Sequence, residues 1–188
     1  DLLTAERTAI NILQHLSGIA TLTRQYADAI SDLNTILLDT RKTIPVYRHL
    51  AKYATRMGGA TNHRMALDDG VLIKDNHVIV SGGIIEAVRR AQDNGLSNIE
   101  VECDTLDQVR EAVEAGADMI LFDNMSAETM INAVKIVAGR VPTEASGDIN
   151  LETIRSKAKT GVTHISVGRL THSAPAVNIG LDWNDLGS

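Results

Sequence analysis

The chain has 188 residues, 44% of them hydrophobic, a length that supports one sizeable core and makes a single domain the expectation. Twenty-four acidic residues against eighteen basic ones leave a formal charge of -6, which argues against a general nucleic-acid or anionic-membrane surface, so any anion site must be local. The single Cys103 excludes an intramolecular disulfide framework, and with no four-cysteine zinc spacing, signal peptide or long apolar span the chain reads as cytoplasmic.

The first predicted element is a helix from about Thr4 to Ile30, with Ile10, Leu13, Leu16 and Ile19 at helical spacing. Residues 1–34 are expected to pack on the remainder of the chain or on a partner subunit, and residues 35–188 to form an α/β barrel domain. The apolar run Thr35-Ile36-Leu37-Leu38 opens onto Asp39-Thr40-Arg41-Lys42-Thr43, Gly58-Gly59-Ala60-Thr61 leads to Asn62-His63-Arg64, and Val71-Leu72-Ile73 ends at Lys74-Asp75-Asn76-His77. Cations gathered at apolar-run ends in an acidic chain point to one anion site.

Beyond these runs the pattern repeats. Glycines 95, 116, 139 and 161 recur at intervals of 21, 23 and 22 residues, each after a helix-like segment and before a strand-like run. The runs are 98–103, 119–123, 143–146 and 164–168. Thr105 with Gln108 makes a capping box, Ser126 and Asn150 are N-cap types with Glu128 and Glu152 in the first turn, and the glycines are expected at C′. About six alternating β and α units imply parallel strands with right-handed crossovers, as a barrel or an open doubly wound sheet. An incomplete TIM-like barrel of six to seven strands is favoured, because polar residues recur at the strand ends and a barrel gathers those ends at one mouth. No Gly-x-Gly-x-x-Gly turn or phosphate-loop lysine follows a strand, which removes support from a dinucleotide or nucleoside-triphosphate fold.

These segments resemble the quinolinate phosphoribosyltransferase family. The matching stretches begin with Leu3-Thr4-Ala5-Glu6-Arg7-Thr8, Leu16-Ser17-Gly18-Ile19-Ala20-Thr21 and Asp39-Thr40-Arg41-Lys42-Thr43. Asn62-His63-Arg64, Ile73-Lys74-Asp75-Asn76-His77 and Glu100-Val101-Glu102 follow, then Asp123-Asn124, Glu144-Ala145-Ser146-Gly147 and Ser166-Val167-Gly168 with Leu170-Thr171-His172-Ser173. A molybdenum-operon relative shares the barrel but lacks the intact lysine-aspartate-asparagine-histidine segment, so it ranks lower.

The resemblance implies transfer of the phosphoribosyl group of phosphoribosyl pyrophosphate to quinolinate, with decarboxylation to nicotinate mononucleotide, in a homodimer or higher homo-oligomer. Arg41 and Arg64, whose planar forks match carboxylates, are expected to clamp quinolinate with His63 and Lys74, and the family pattern brings Arg7 from the partner subunit. Lys42 is expected at the pyrophosphate, and Ser146, Gly147, Gly168 and His172 at the 5′-phosphate. Glu102 and Asp123, 21 residues apart on consecutive units, suit either Mg²⁺ or the ribose and the charge developing on it. Lys42, Lys74, Glu102 and Asp123 are thus the expected catalytic set. Asp39 is expected only to hold strand geometry beside a cation, Glu100 and Glu144 to make structural hydrogen bonds or ion pairs, and Cys103 to be a small buried residue.

Several departures from the family pattern stand out. Val46, Ala60 and Asp148 occupy positions where many members carry glycine, and Gly187-Ser188 reads as an appended dipeptide. The family's N-terminal sandwich domain does not precede the arginine-bearing helix, so this chain is expected to fold but to turn over poorly. Two other readings stand beside it: a Schiff-base enzyme using a desolvated Lys74, and an excised or redesigned barrel serving as a catalytically silent scaffold.

Overall fold

Six short runs rich in β-branched and apolar residues become the strands of one all-parallel sheet. The computed structural model describes residues 2–182, so Gly187-Ser188 lies outside the described residues. The strands are β1 (Ile36–Leu38), β2 (Val71–Ile73), β3 (Ile99–Cys103), β4 (Met119–Asp123), β5 (Thr143–Ser146) and β6 (His164–Ser166), in the order β1-β6-β5-β4-β3-β2. The Gly58–Thr61 segment adds to the free edge of β1 through a parallel bridge between Leu38 and Thr61. The backbone bonds alternate as two edges require: Asp39 N–H donates to Thr61 O and Thr61 N–H to Leu37 O, while Ile36 N–H donates to Thr163 O and Val167 N–H to Leu38 O.

The sheet is strongly curled. Laid flat, the Thr61 segment would stand five strand spacings, about 24 Å, from β3. Yet His63, two residues past the bridge, lies 3.4 Å from Glu100 of β3 and 3.1 Å from Glu144 of β5. Only a sheet rolled around the histidine allows that, which is the barrel expected from the converging polar strand ends. Among the described residues no ladder joins the Thr61 segment to β2, so the roll is not closed.

Strand periodicity then sorts the two faces. Ile99, Val101 and Cys103 of β3 and Ile120 and Phe122 of β4 are buried in the main apolar core, while Glu102, Leu121 and Asp123, of the opposite parity, line a central cavity. Glu144 and Ser146 of β5 and Ser166 of β6 do the same. The interior of this barrel is therefore polar, and its apolar core lies between sheet and helices.

The helices are α1 (Leu2–Ala29), α2 (Arg48–Met57), α3 (Asp75–Ser81), α4 (Ile84–Asp93), α5 (Leu106–Glu114), α6 (Ala127–Val137), α7 (Ile154–Ala158) and α8 (Arg169–His172). α1 packs against α2, α7 and α8. The capping box of α5 forms as the sequence requires, Gln108 N–H donating to Thr105 Oγ1 and Thr105 N–H to Gln108 Oε1, and Ser126 accepts from Thr129 N–H at the start of α6. Two local expectations shift. Asn150 caps a turn rather than the helix, accepting from Glu152 and Thr153 N–H, and α7 begins after Thr153 because that turn already occupies the intervening residues. At the end of α7 the C-cap is Lys159, so Gly161 lies one place beyond the expected C′ position, which Gly95, Gly116 and Gly139 do occupy after α4, α5 and α6.

Two of the departures noted in the sequence, Val46 (φ 67°) and Asp148 (φ 46°), fall in the left-handed region that glycine occupies without penalty. For β-branched Val46, fully exposed and making no compensating burial, the conformation is a cost. Val46→Gly is expected to raise stability by about 1 kcal/mol, the relief of strain exceeding the added chain entropy. Chemical denaturation checks this, and a fall in stability would show that the loop keeps another conformation.

Candidate active site

The C-terminal ends of all six strands border one cavity of about 780 Å³. β1 delivers Thr40, Arg41 and Lys42, and the segment after the Thr61 bridge delivers His63 and Arg64. Lys74 follows β2, Glu102 lies on β3 and Asp123 on β4. Ser146 with Gly147 comes from β5, and Gly168 with His172 from the turn and helix after β6. Every candidate residue of the sequence reading is therefore brought together except Arg7, which sits exposed on the first turns of α1 and does not line the cavity.

One end of the cavity is built on a buried ion pair. Asp39, 0% exposed, accepts from Lys52 Nζ (2.5 Å), Thr55 Oγ1 (2.8 Å), Asn62 Nδ2 (2.6 Å) and the backbone N–H of His63 (2.9 Å). Lys52, 1% exposed, also donates to His63 O at 2.8 Å. A carboxylate directly after β1, surrounded by donors on α2 and the loop that follows it, locks that loop to the barrel. Arg48 does the same for the other loop, donating to Thr43 Oγ1, to Met65 O and to Arg41 O. Lys52 and Arg48 were missed by sequence reasoning; the one available signal was a lysine among the apolar-facing Ala51, Ala54 and Thr55 of α2.

Held this way, Arg41 and Arg64 present cations with spare donors. Arg64 Nη1 donates to Gly70 O at 3.0 Å, while Nε of Arg64 and Nε of Arg41 are buried without an acceptor among the described residues. Burial lowers the Arg64 pKa, offset by the charges of Glu100, Glu144 and Asp69 and reinforced by Arg41, yet a guanidinium stays charged at neutral pH. Buried, charged and under-satisfied donors call for an anionic acceptor.

Below the arginines, His63 Nε2 stands between the carboxylates of Glu144 and Glu100. Burial opposes the imidazolium, but hydrogen bonds and charge from the two carboxylates outweigh it and raise His63 to about 9; burial foremost, with the Glu100 charge, raises Glu144. These groups bind protons more tightly folded than unfolded. The His63 contribution to stability is complete below about pH 6.5 and is lost as pH rises through about 9. The thermal midpoint is expected to fall between about pH 7 and about pH 9.5, and to fall less in His63→Gln; equal slopes in the two proteins would refute the assignment.

Across the cavity Lys74 Nζ pairs with Glu102 Oε2 at 2.5 Å, and Asn124 Nδ2 donates to Asp123 Oδ2 at 2.8 Å. Each carboxylate thus commits one oxygen to a protein donor. Two carboxylates facing an open cavity fit Mg²⁺, which prefers oxygen ligands and completes its shell with phosphate and water. Lys74 is 47% exposed and ion-paired, the reverse of the desolvated amine a Schiff base requires.

Gly147 and Gly168 form a cradle where other side chains approach the backbone closely. A Cβ on Gly168 would meet Lys42 Cδ and His172 Nε2 at 3.2 Å each, and one on Gly147 (φ 88°) would lie 2.0 Å from Asn124 Oδ1. Lys157 Nζ donates to Gly147 O (3.2 Å) and Met125 O (3.4 Å), tying the loops after β4 and β5 together. Exposed Asp148 stands at this rim, and Lys157 feels its charge, which tempers the acidity beside the cradle. Arg169, directly after Gly168, adds a cation that the sequence reading passed over although it adjoins the matched motif.

Comparison with known proteins agrees with this geometry. Residues 19–182 match the family model described as "Quinolinate phosphoribosyl transferase, C-terminal domain". The chain is 46% identical over 183 residues to a probable nicotinate-nucleotide pyrophosphorylase [carboxylating] of Bacillus subtilis, covering 96% of this chain and 63% of the relative. It is 44% identical over 197 residues to the chloroplastic nicotinate-nucleotide pyrophosphorylase [carboxylating] of Arabidopsis thaliana, covering 94% and 56%. The crystal structure of nicotinate-nucleotide pyrophosphorylase from Ehrlichia chaffeensis superimposes with a TM-score of 0.94 at 44% identity, over 96% of this chain and 66% of that one. The chain thus spans about 63% of the length of its Bacillus relative. By the extent of that match, it belongs to the quinolinate phosphoribosyltransferase C-terminal domain family.

Proposed function

We propose that the cavity binds quinolinate and phosphoribosyl pyrophosphate and transfers the phosphoribosyl group to the pyridine nitrogen, with loss of the 2-carboxylate as CO₂. The observation that carries this reading is the pair of buried, acceptor-less Nε groups of Arg41 and Arg64 in the same cavity as the Lys42–Gly168–His172 cradle. The arginines suit a rigid dicarboxylate and the cradle a phosphate.

In this mechanism Arg41 and Arg64 hold the pyridine by its carboxylates and aim its nitrogen along the cavity. Backbone at Gly147 and Gly168, with Ser146 and His172, receives the 5′-phosphate, and Lys42 follows the departing pyrophosphate as a compact cation. Glu102 and Asp123 would hold Mg²⁺, whose charge offsets that of the leaving pyrophosphate. Lys74, paired with Glu102, fixes the carboxylate facing the ribose. No protein nucleophile is required, so positioning and electrostatics supply the rate. We assign exposed Arg7 to the cavity of a second copy, giving a homodimer that light scattering would detect.

The decisive experiment incubates the 188-residue chain with quinolinate, phosphoribosyl pyrophosphate and Mg²⁺ and follows nicotinate mononucleotide by mass spectrometry. Formation of the nucleotide is expected; none, with the fold intact, overturns the proposal for this chain. Glu102→Ala and Asp123→Ala are expected to weaken Mg²⁺-dependent binding of phosphoribosyl pyrophosphate by about ten-fold or more while leaving quinolinate binding intact. Calorimetry showing the opposite pattern would reverse the assignment.

A further inference from the structure

The barrel interior holds a charge arrangement that binding alone does not explain. Glu144 is 1% exposed, and among the described residues neither of its carboxylate oxygens receives a hydrogen bond of good geometry, nor does buried Glu100 Oε1. Between them His63 Nε2 approaches to 3.1 Å and 3.4 Å. His63, Glu100 and Glu144 offer ligand atoms within 4.8 Å of one another, which invites a metal ion. The other ring nitrogen argues otherwise. Nδ1 accepts the backbone N–H of Arg64 at 2.8 Å, so the ring proton resides on Nε2 and closes that lone pair to a metal.

That bond leaves no room for a proton on Nδ1, so the proton that the site holds up to about pH 9 is shared between Nε2 and the carboxylates. An extra proton taken by this cluster therefore belongs on a carboxylate, and Glu144, the more deeply buried and less satisfied of the two, is its natural holder. Arg41 and Arg64 offset some of the negative charge while the cavity is empty of anions. A dicarboxylate seated on those guanidiniums engages that positive charge and makes proton uptake below it more favourable.

Resting on the function proposed above, we infer that Glu144, steered by His63, supplies the proton that replaces the departing carboxylate at C2 of the pyridine ring. In the dicarboxylated nucleotide the bond from C2 to its carboxylate carbon breaks, CO₂ leaves, and the electron pair remains on C2 in the ring plane. That pair points towards whatever held the carboxylate, namely the arginines and the groups that line the cavity with them, Glu144 and His63 included. The guanidiniums do not give up protons. The Glu144 carboxyl donates its proton to C2, keeps the O–H electron pair as a carboxylate, and is recharged from solvent. Arg64, Arg41, Glu100 and His164 are the charged or titratable groups that surround this pair.

Calorimetry of quinolinate binding in buffers of different ionisation enthalpy tests the proton storage without turnover. At about pH 9.5, where the empty cluster has begun to release its proton, uptake approaching one proton is expected in the unsubstituted chain and close to none in the isosteric Glu144→Gln; binding there without buffer dependence in the unsubstituted chain overturns the inference even if the variant fails to fold. During turnover, Glu144→Gln is expected to lower nicotinate mononucleotide formation ~100-fold more than pyrophosphate release, with the dicarboxylated nucleotide accumulating. Parallel loss of both products would leave Glu144 structural and sink the donor role. Absence of any nucleotide from the unsubstituted chain defeats the parent function and this step with it, whereas a failed buffer dependence defeats this step alone.

Discussion

Lys52→Met is expected to cost about 3–5 kcal/mol of folding stability, the penalty for leaving a buried charge without its partner. Lys52 and Asp39 are 1% and 0% exposed, their contact is 2.5 Å, and the ammonium also binds His63 O. Burial lowers the Lys52 pKa and the hydrogen bond and charge of Asp39 act against that, so the charge on Lys52 depends on its partner. Removing the lysine leaves Asp39 with Thr55, Asn62 and the His63 N–H, which soften the loss without supplying a counter-charge. For a chain of this length the thermal midpoint should fall by roughly 6–20 °C. The double variant Asp39→Asn/Lys52→Met should recover part of this, because no unpaired charge remains. A single-variant loss below about 1 kcal/mol would show that water reaches the pair.

The second large effect concerns ligand choice. Arg64→Met is expected to weaken quinolinate binding by about 1.5–3 kcal/mol, the worth of a charged hydrogen bond, or roughly 10- to 150-fold. Nicotinate, with one carboxylate fewer, should lose much less. Arg64 is positioned for this by the Gly70 carbonyl on one side and by its own N–H, bound to His63, on the other, while its Nε has no acceptor among the described residues. Calorimetry with quinolinate, nicotinate and phthalate on both proteins reads the difference. An equal drop for all three ligands would mean that Arg64 shapes the cavity without recognising the second carboxylate.

The residues that face a ligand were more legible in sequence than those that hold them. Arg41 and Lys42 sit three and four places past an apolar run, Lys74 one place past, and Glu102 and Asp123 next to or at the end of one, and in a barrel that position is the mouth. Arg48, Lys52 and Lys157 lie inside helices or turns at ordinary spacing, where a lysine or arginine reads as solvated surface. Their roles depend on carbonyls and carboxylates from other elements: Met65 O for Arg48, Asp39 for Lys52, Gly147 O for Lys157. The positions of Val46 and Asp148 were marked in the sequence as departures, but only backbone angles show why glycine suits them.

Sequence by itself determined the alternation of strands and helices, the capping of α5 and α6, and the identity of the cations at the strand ends, because each follows from interactions within a few residues. Tertiary structure decided whether the sheet curls, which carboxylate each cation meets, and that Glu100, Glu144 and His63 share one buried space. Alternation along a strand tells which side chains share a face but not what lies opposite that face. The meeting of β3, β5 and the loop after Thr61 across the barrel is set by the roll of the sheet, and it is this long-range closure that turns three separated polar residues into one proton-binding group.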